Sequence, residues 1–404
     1  VNLVHHYRNN PSVVMWCVGN EVPNQWDESG CKISKFLQDI CHREDPTRPV
    51  TQGMDAPDAV VNNNMAAVMD VAGFNYRPFR YQVNYKKLPQ QIILGSETAS
   101  TVSSRGVYKF PVERKAMAVY EDHQSSSYDV EHCNWSNLPE DDFIQHEDLP
   151  YCIGEFVWIG FDYLGEPTPY YTNWPSHSSL FGIIDLAGIP KDRYYLYRSH
   201  WNKSAKTLHI LPHWTWPGRE GEVTPVFVYT NYPAAELFIN GKSYGKQSKN
   251  NSSLKSRYRL MWMDAIYEPG EVKVVAYDKD GKAVAEKSVR TAGKPHHIEL
   301  VSNRNELTAD GKDLAYVTVK VVDKDGNLCP ADSRLINFSV KGAGKYRAGA
   351  NGDPTSLDLF HLPKMHAFNG MLTAIVQTNE TAGEIILTAK AGGVKAGSIR
   401  LLTK

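Results

Sequence analysis

Near residue 205 the apolar residues of this chain change their period, and that change limits the folds open to it. Before it, short apolar runs at 13–18, 49–52, 68–75, 92–95 and 151–158 are separated by longer mixed segments. Each run is rich in β-branched or aromatic residues, as a strand buried on both faces should be. Ile33, Phe36, Leu37 and Ile40 recur at helical spacing and predict a helix over 33–42, and residues 112–123 read as another. Strands alternating with helices imply βα units and a parallel sheet. The stretch 124–148, rich in Ser, Asn, His and acids, reads as a long loop.

After residue 205 the period becomes two. Runs at 226–230, 235–239, 272–277, 298–300, 315–322, 335–340 and 384–389 alternate as half-buried strands do. Asn240-Gly241 is a type I′ hairpin signal, and Asp280-Gly281 and Asp325-Gly326 mark two more turns. With a linker at Gly293-Lys294-Pro295, this part reads as two antiparallel β-sandwiches. Asp-Lys-Asp-Gly recurs at 278–281 and 323–326 but lacks the other ligands of a calcium loop.

Lys and Arg number 44 and Asp and Glu 45, a net charge of −1, which gives no electrostatic case for nucleic acid or an anionic membrane. No apolar run approaches the ~20 residues that cross a bilayer. The six cysteines form no C-x-x-C pair and are expected as buried thiols. Gly342-Ala-Gly-Lys345 resembles the end of a phosphate loop, but Ser339 stands where its first glycine belongs, so it reads as a turn. His5-His6, His132 and His296-His297 have no partners at metal-ligand spacing.

Two glutamates stand at the C-terminal ends of expected strands. Glu21 closes the run that passes through Val18-Gly19-Asn20, and Glu97 closes Ile92-Ile93-Leu94-Gly95-Ser96. In a parallel α/β barrel, side chains at those ends converge on the face that carries the active site. Two carboxylates there suit glycoside hydrolysis, one protonating the leaving oxygen and the other attacking the anomeric carbon or activating water. A lone glutamate after a strand is more commonly a helix cap or an ion-pair partner.

The run Arg8-Asn9-Asn10-Pro11-Ser12-Val13-Val14-Met15-Trp16, followed by Gly19-Asn20-Glu21, resembles the acid/base signature of glycoside hydrolase family 2. Asp45-Pro46-Thr47-Arg48-Pro49, Phe74-Asn75-Tyr76, Gly95-Ser96-Glu97, and Gly154-Glu155-Phe156-Val157-Trp158 with Phe161-Asp162-Tyr163 resemble later barrel strands of that family, in order. Ala350-Asn351-Gly352-Asp353-Pro354 and Ala367-Phe368-Asn369-Gly370 resemble a C-terminal sandwich of its galactosidases. The resemblance implies a multidomain fold: the C-terminal part of a (β/α)8 TIM barrel, strands four to eight, at 1–206, then immunoglobulin-like antiparallel β-sandwiches at 207–293 and 294–404.

It also implies roles. Glu21 would be the general acid/base and Glu97 the nucleophile of a retaining mechanism. Asn20 would bond the sugar 2-hydroxyl, Tyr76 would donate to Glu97, and Trp158 would floor the sugar; a turn residue and packed aromatics are the plainer readings of these three. Glu155 is a secondary candidate, expected buried and paired with an arginine. The stretch Ser179-Leu180-Phe181 lacks the Asn-x-Lys by which family glucuronidases grip a carboxylate, which favours a β-galactoside glycan as substrate. A β-glucuronidase, a β-mannosidase and a non-catalytic carbohydrate-binding protein are the alternatives. No cofactor is required by these residues, and a divalent metal is left open. Three barrel strands are expected from an N-terminal segment of the same enzyme. Without them residues 1–404 are expected to be insoluble or inactive, with Val14, Trp16, Ile93 and Val157 facing a gap, while the sandwiches fold alone. A periplasmic or extracellular bacterial setting is favoured, and a homo-oligomer is open.

Overall fold

The computed structural model describes residues 1–404. The chain divides into two compact units, Val1–Thr101 with His132–Trp158, and Val102–Glu131 with Ile159–Lys404.

The first unit is built on a five-stranded sheet. Strands β1 (Trp16–Asn20), β2 (Val50–Met54), β3 (Val71–Asn75) and β4 (Ile93–Ala99) lie in chain order, and Cys152–Trp158 pairs with β4 at the far edge. Every pairing is parallel. The expected strands all form, with shifted ends. The first begins only at Trp16 because Arg48 takes the chain before it: its Nε donates to the Val13 carbonyl at 2.6 Å and its Nη2 to that of Asn10 at 3.2 Å. The helix expected over 33–42 runs Ser29–Glu44.

Trp16 and Ile93 do not face a gap. Trp16 packs with Val4, Cys41, Val50 and Met69, and Ile93 with Met54, Phe74 and Leu88, each in a closed apolar cluster. Trp16 Nε1 also donates to buried Asp45 Oδ2 at 3.0 Å. Some uncovered apolar residues lie at or beside the two edge strands: Val14 is 71% exposed and Phe156 63%. Cys17, also on β1, is an exposed thiol rather than a buried one.

Two local expectations fail. Residues 112–123 form no helix, because Met117 and His123 adopt left-handed φ angles of 53° and the Lys115 N–H bonds the Val130 carbonyl. The stretch 124–148 is not all loop, since Pro139–Asp148 is helical. Proline at the first helical position, acids in the first turn, and Asp141 accepting from the Leu138 N–H are helix-start signals.

In the second unit, the strands Lys242–Ser248, Ala234–Ile239, Glu271–Tyr277 and Ala283–Arg290 form one sheet, and Leu260–Trp262, Val226–Thr230 and Leu208–Leu211 another. They enclose a core with Trp214, Trp262 and Leu237. A four-stranded and a five-stranded sheet follow, around Val317, Val319, Leu372 and Leu387. The repeated Asp-Lys-Asp-Gly turns are explained by their first aspartate. Asp278 Oδ1 accepts from the N–H groups of Asp280 and Lys282, and Asp323 Oδ1 from those of Asp325 and Asn327. The 350–354 and 367–370 motifs also have a structural use. Buried Arg105 pairs with Asp185 at 2.6 Å and donates to the carbonyls of Asn351 and Phe368.

Candidate active site

The C-terminal ends of β1, β3 and β4 bring four of the expected residues into two hydrogen-bonded clusters, one centred on Asn75 and the other on the next residue, Tyr76. The Asn75 side chain is wholly buried at the last position of β3, the middle strand of the sheet. Its Nδ2 donates to Asn20 Oδ1 at 2.8 Å and to Glu21 Oε1 at 2.9 Å, and its Oδ1 accepts from Ser96 Oγ at 2.8 Å. The next residue, Tyr76, donates its phenol to Glu97 Oε1 at 2.6 Å. Tyr76 has one hydroxyl proton, so the 2.5 Å contact with Ser100 Oγ is donated by the serine. Burial, and then the neighbouring Glu97 charge, push the Tyr76 pKa far above its ordinary value, so the phenol keeps the proton it donates.

The backbone aims these groups. Glu21 and Tyr76 both have left-handed φ, 46° and 55°, in the residue directly after a strand, and Ala99 and Ser100 follow suit at 68° and 45°. Such angles are uncommon outside glycine and cluster at functional sites. The Glu21 N–H still reaches the Gly53 carbonyl at 3.0 Å and the Tyr76 N–H that of Glu97 at 2.7 Å, so the turned residues are tied to the sheet. The ladder also slips one register beside them, between Cys17 and Asn20 and between Phe74 and Asn75. Gly53, on β2 between Asn20 and Asn75, has to be glycine: a Cβ there would lie 2.3 Å from Asn20 Oδ1 and 2.9 Å from Asn75 Oδ1. Its bare backbone makes room for the two amides to meet.

Trp158 ends the edge strand, half-buried and in register with Ala99. Glu155 is not paired with an arginine. It accepts from Thr98 Oγ1 at 2.7 Å, and burial pushes its pKa up to about 7. His146 lies 4.0 Å away, but burial pushes that imidazole down to about 4, so it is neutral and forms no ion pair near neutral pH. Asp142, wholly buried and accepting from Asn137, is held well above the usual carboxylate range by burial and by the nearby Glu155. Glu155 thus belongs to a buried acidic set behind β4. Ser179 and Phe181 are fully buried in the second unit. No three His, Cys, Asp or Glu side chains gather where they could hold a metal ion.

Comparison with known proteins places the chain in a family. Residues 1–178 match the profile of the glycosyl hydrolases family 2 TIM barrel domain, and 298–400 that of the glycoside hydrolase family 2 C-terminal domain 5. The chain belongs to glycoside hydrolase family 2. Between those segments, 221–285 match a domain family of unknown function. Among its relatives in the family, β-galactosidase BoGH2A of Bacteroides ovatus is 37% identical over 98% of this chain and 50% of its own length. A putative β-glucuronidase of Formosa agariphila is 29% identical over 86% of this chain and 34% of its own. The crystal structure of a β-glycosidase from Bacteroides vulgatus superposes with a TM-score of 0.83 at 30% identity, covering 99% of this chain and 52% of that one. The chain spans about half the length of the first of these curated relatives. Its fold is the family's TIM barrel domain, here as a five-stranded part, followed by C-terminal sandwich domains.

Asn75, Ser96 and Ser100 were not singled out from the sequence. The signal for Asn75 was a polar residue at the end of a wholly buried strand, which must find partners inside.

Proposed function

We propose that this chain carries the catalytic pair of a retaining exo-glycosidase that removes terminal β-D-galactosyl residues. The carrying observation is that consecutive residues of one strand end, Asn75 and Tyr76, hold Glu21 and Glu97 through different donors, an amide and a phenol. A hydrogen bond donated to a carboxylate favours its charged form, and Glu97 receives one from a phenol that Ser100 itself polarises. Glu97 is therefore assigned as nucleophile and Glu21 as acid/base. Glu97 attacks the anomeric carbon while the Glu21 proton passes to the departing glycosidic oxygen, leaving a covalent glycosyl-enzyme. Glu21 then takes a proton from water, which displaces Glu97 and restores both groups. Asn20 offers the 2-hydroxyl its amide N–H groups, since its Oδ1 is engaged with Asn75. Trp158 supplies an apolar surface under the ring. The barrel portion is assigned to 1–206 and the sandwiches to 207–293 and 294–404.

Galactose is preferred because no cation stands in the Ser179–Phe181 stretch and a relative named as a β-galactosidase matches almost the whole chain. In the full-length enzyme, β-galactosides should be cleaved at least ~10²-fold faster than β-glucuronides, because an unpaired carboxylate is costly to desolvate. Comparable rates would overturn the sugar assignment. Glu21→Ala should spare substrates with activated leaving groups, and azide should restore turnover as a β-glycosyl azide. Equal slowing of activated and unactivated substrates would overturn the acid role of Glu21.

A further inference from the structure

Glu97 does not sit on a regular strand. β4 pairs with its edge neighbour at Gly95 with Glu155 and again at Thr98 with Val157, so Ser96 and Glu97 together stand opposite the single residue Phe156. On the other side Phe74 pairs with Gly95 and Asn75 with Glu97, which leaves Ser96 as the extra residue there. This is a β-bulge, a device that re-aims side chains beside active sites. Strict alternation would put Gly95 and Thr98 on opposite faces of the sheet. Instead, a Cβ on Gly95 would lie 2.8 Å from Thr98 Cγ2 and 3.3 Å from His146 Nε2, so both residues face the helix Pro139–Asp148. The two consecutive side chains between them, Ser96 and Glu97, both reach the catalytic clusters, bonded to Asn75 and Tyr76.

Little of the strand holds that bulge from beyond. Only Thr98 and Ala99 remain of β4, and Ala99 is left-handed. Thr98 is tied across to the edge strand by its side chain: Oγ1 donates to Glu155 Oε2 at 2.7 Å and lies 3.4 Å from the carbonyl of Phe156, the residue opposite the bulge. Glu155 does not serve there as a charge. Around it stand Asp142 and His146 of the helix Pro139–Asp148, Tyr81, and Cys152 on its own strand. None of these is a cation near neutral pH, since burial holds His146 down to about 4, and burial likewise raises Glu155 to about 7. An apolar side chain would fill the same space without the cost of desolvating a carboxyl group. What the carboxyl adds is an acceptor for Thr98.

We propose that Glu155 is a positioning residue: through Thr98 it fixes the bulge, and with it the angle at which Glu97 meets the anomeric carbon. This rests on the glycosidase reading above. The test uses the full-length enzyme and a dinitrophenyl β-galactoside, whose leaving group needs no proton from Glu21, so that kcat/KM reports the attack of Glu97. Thr98→Val and Glu155→Leu nearly keep the volume and remove the bond. Each should lower kcat/KM by ~10–10²-fold, while affinity for a non-hydrolysable β-thiogalactoside stays within ~2-fold. Thr98→Ser and Glu155→Gln, which restore the donor and the acceptor, should recover most of the loss. Thr98→Val and Glu155→Leu combined should cost no more than the worse of the two alone, since one bond can be broken only once. Unchanged kcat/KM, an equal fall in thiogalactoside affinity, or losses that multiply overturn the proposal. If Glu155→Leu fails to fold, the Val and Ser variants of Thr98 decide. A parent enzyme inert on the galactoside sinks the sugar assignment instead, and the same ratios are then read on the β-glucuronide or β-mannoside that it cleaves.

Discussion

β3 and the Leu314–Val322 strand are both interior strands of their sheets, but they bury different chemistry. Leu314–Val322 alternates, turning Ala315, Val317, Val319 and Val321 into an all-apolar core. β3 is buried at every position and ends in Asn75, and its neighbours bury Thr51, Gln52 and Thr98. Those polar groups are bonded to one another or to backbone: Ser34 donates to Gln52, Thr51 to the Val71 carbonyl, and Thr98 to Glu155. An apolar core is stabilised by area removed from water and tolerates small losses of shape. A buried polar set is stabilised only while every partner is in place, and it fixes geometry. The sandwich strand is built for stability, and β3 for holding two carboxylates in register.

That contrast should be visible in paired substitutions. Asn75→Ala should lower kcat by ~10²-fold or more, since Asn20, Glu21 and Ser96 all lose the group that orients them. Leu387→Ala, wholly buried in the C-terminal core, should lower stability by ~2–5 kcal/mol with kcat kept. Steady-state kinetics and denaturant melts on both variants give the four numbers. If Asn75→Ala melts early but turns over normally, β3 is a structural strand like the other.

The same contrast explains what could be read from the sequence. The sandwich strands announce themselves through alternation, and the Asn240-Gly241 turn through its residue types, because both are local rules. Glu21 and Glu97 were legible because a strand end followed by an acid is a short pattern. Asn75 carries no local signal of its part, since its partners Glu21 and Ser96 lie 54 and 21 residues away and only the sheet brings them near. An arginine was expected beside Glu155 on the rule that buried charge needs a counter-charge. Here the charge is suppressed instead, by burial that holds the proton on. The helix expected over 112–123 failed because tertiary bonds to Val130 and Glu131 outweighed a weak periodicity.

Glu155 supplies a pH signature that the apolar core lacks. An unfolded glutamate loses its proton near ~4.3, while the folded protein keeps it to about 7. Between those values the folded state binds more protons than the unfolded one, so the contribution to stability falls as pH rises. It is complete below the unfolded pKa and gone above about 7. Thermal melts from pH 4 to 8 should show this decline in the parent and a flatter curve in Glu155→Gln, which stays neutral throughout. Parallel curves would mean that Glu155 is ionised and paired in a way the Thr98 contact does not show.

The smallest expected effects compare left-handed residues in the two regions. Asn240 and Gly241 have φ of 49° and 79°, as a type I′ turn between Ala234–Ile239 and Lys242–Ser248 requires. Both residue types accept that conformation readily, so the hairpin stores little strain, and Gly241→Ala should lose ~1 kcal/mol. Glu21 has nearly the same φ, 46°, with a side chain that disfavours it by ~1–2 kcal/mol. Glycine there relieves that penalty but adds backbone entropy to the unfolded chain, which takes back ~0.5–1 kcal/mol. Glu21→Gly also takes the acceptor from the buried Asn75 Nδ2, a loss of ~1–3 kcal/mol that outweighs the strain relieved. It should therefore lose ~1–2 kcal/mol in a denaturant melt while abolishing acid catalysis, whereas Gly241→Ala loses stability to backbone strain alone. A gain in stability for Glu21→Gly would mean that the strain at Glu21 exceeds the worth of its hydrogen bond.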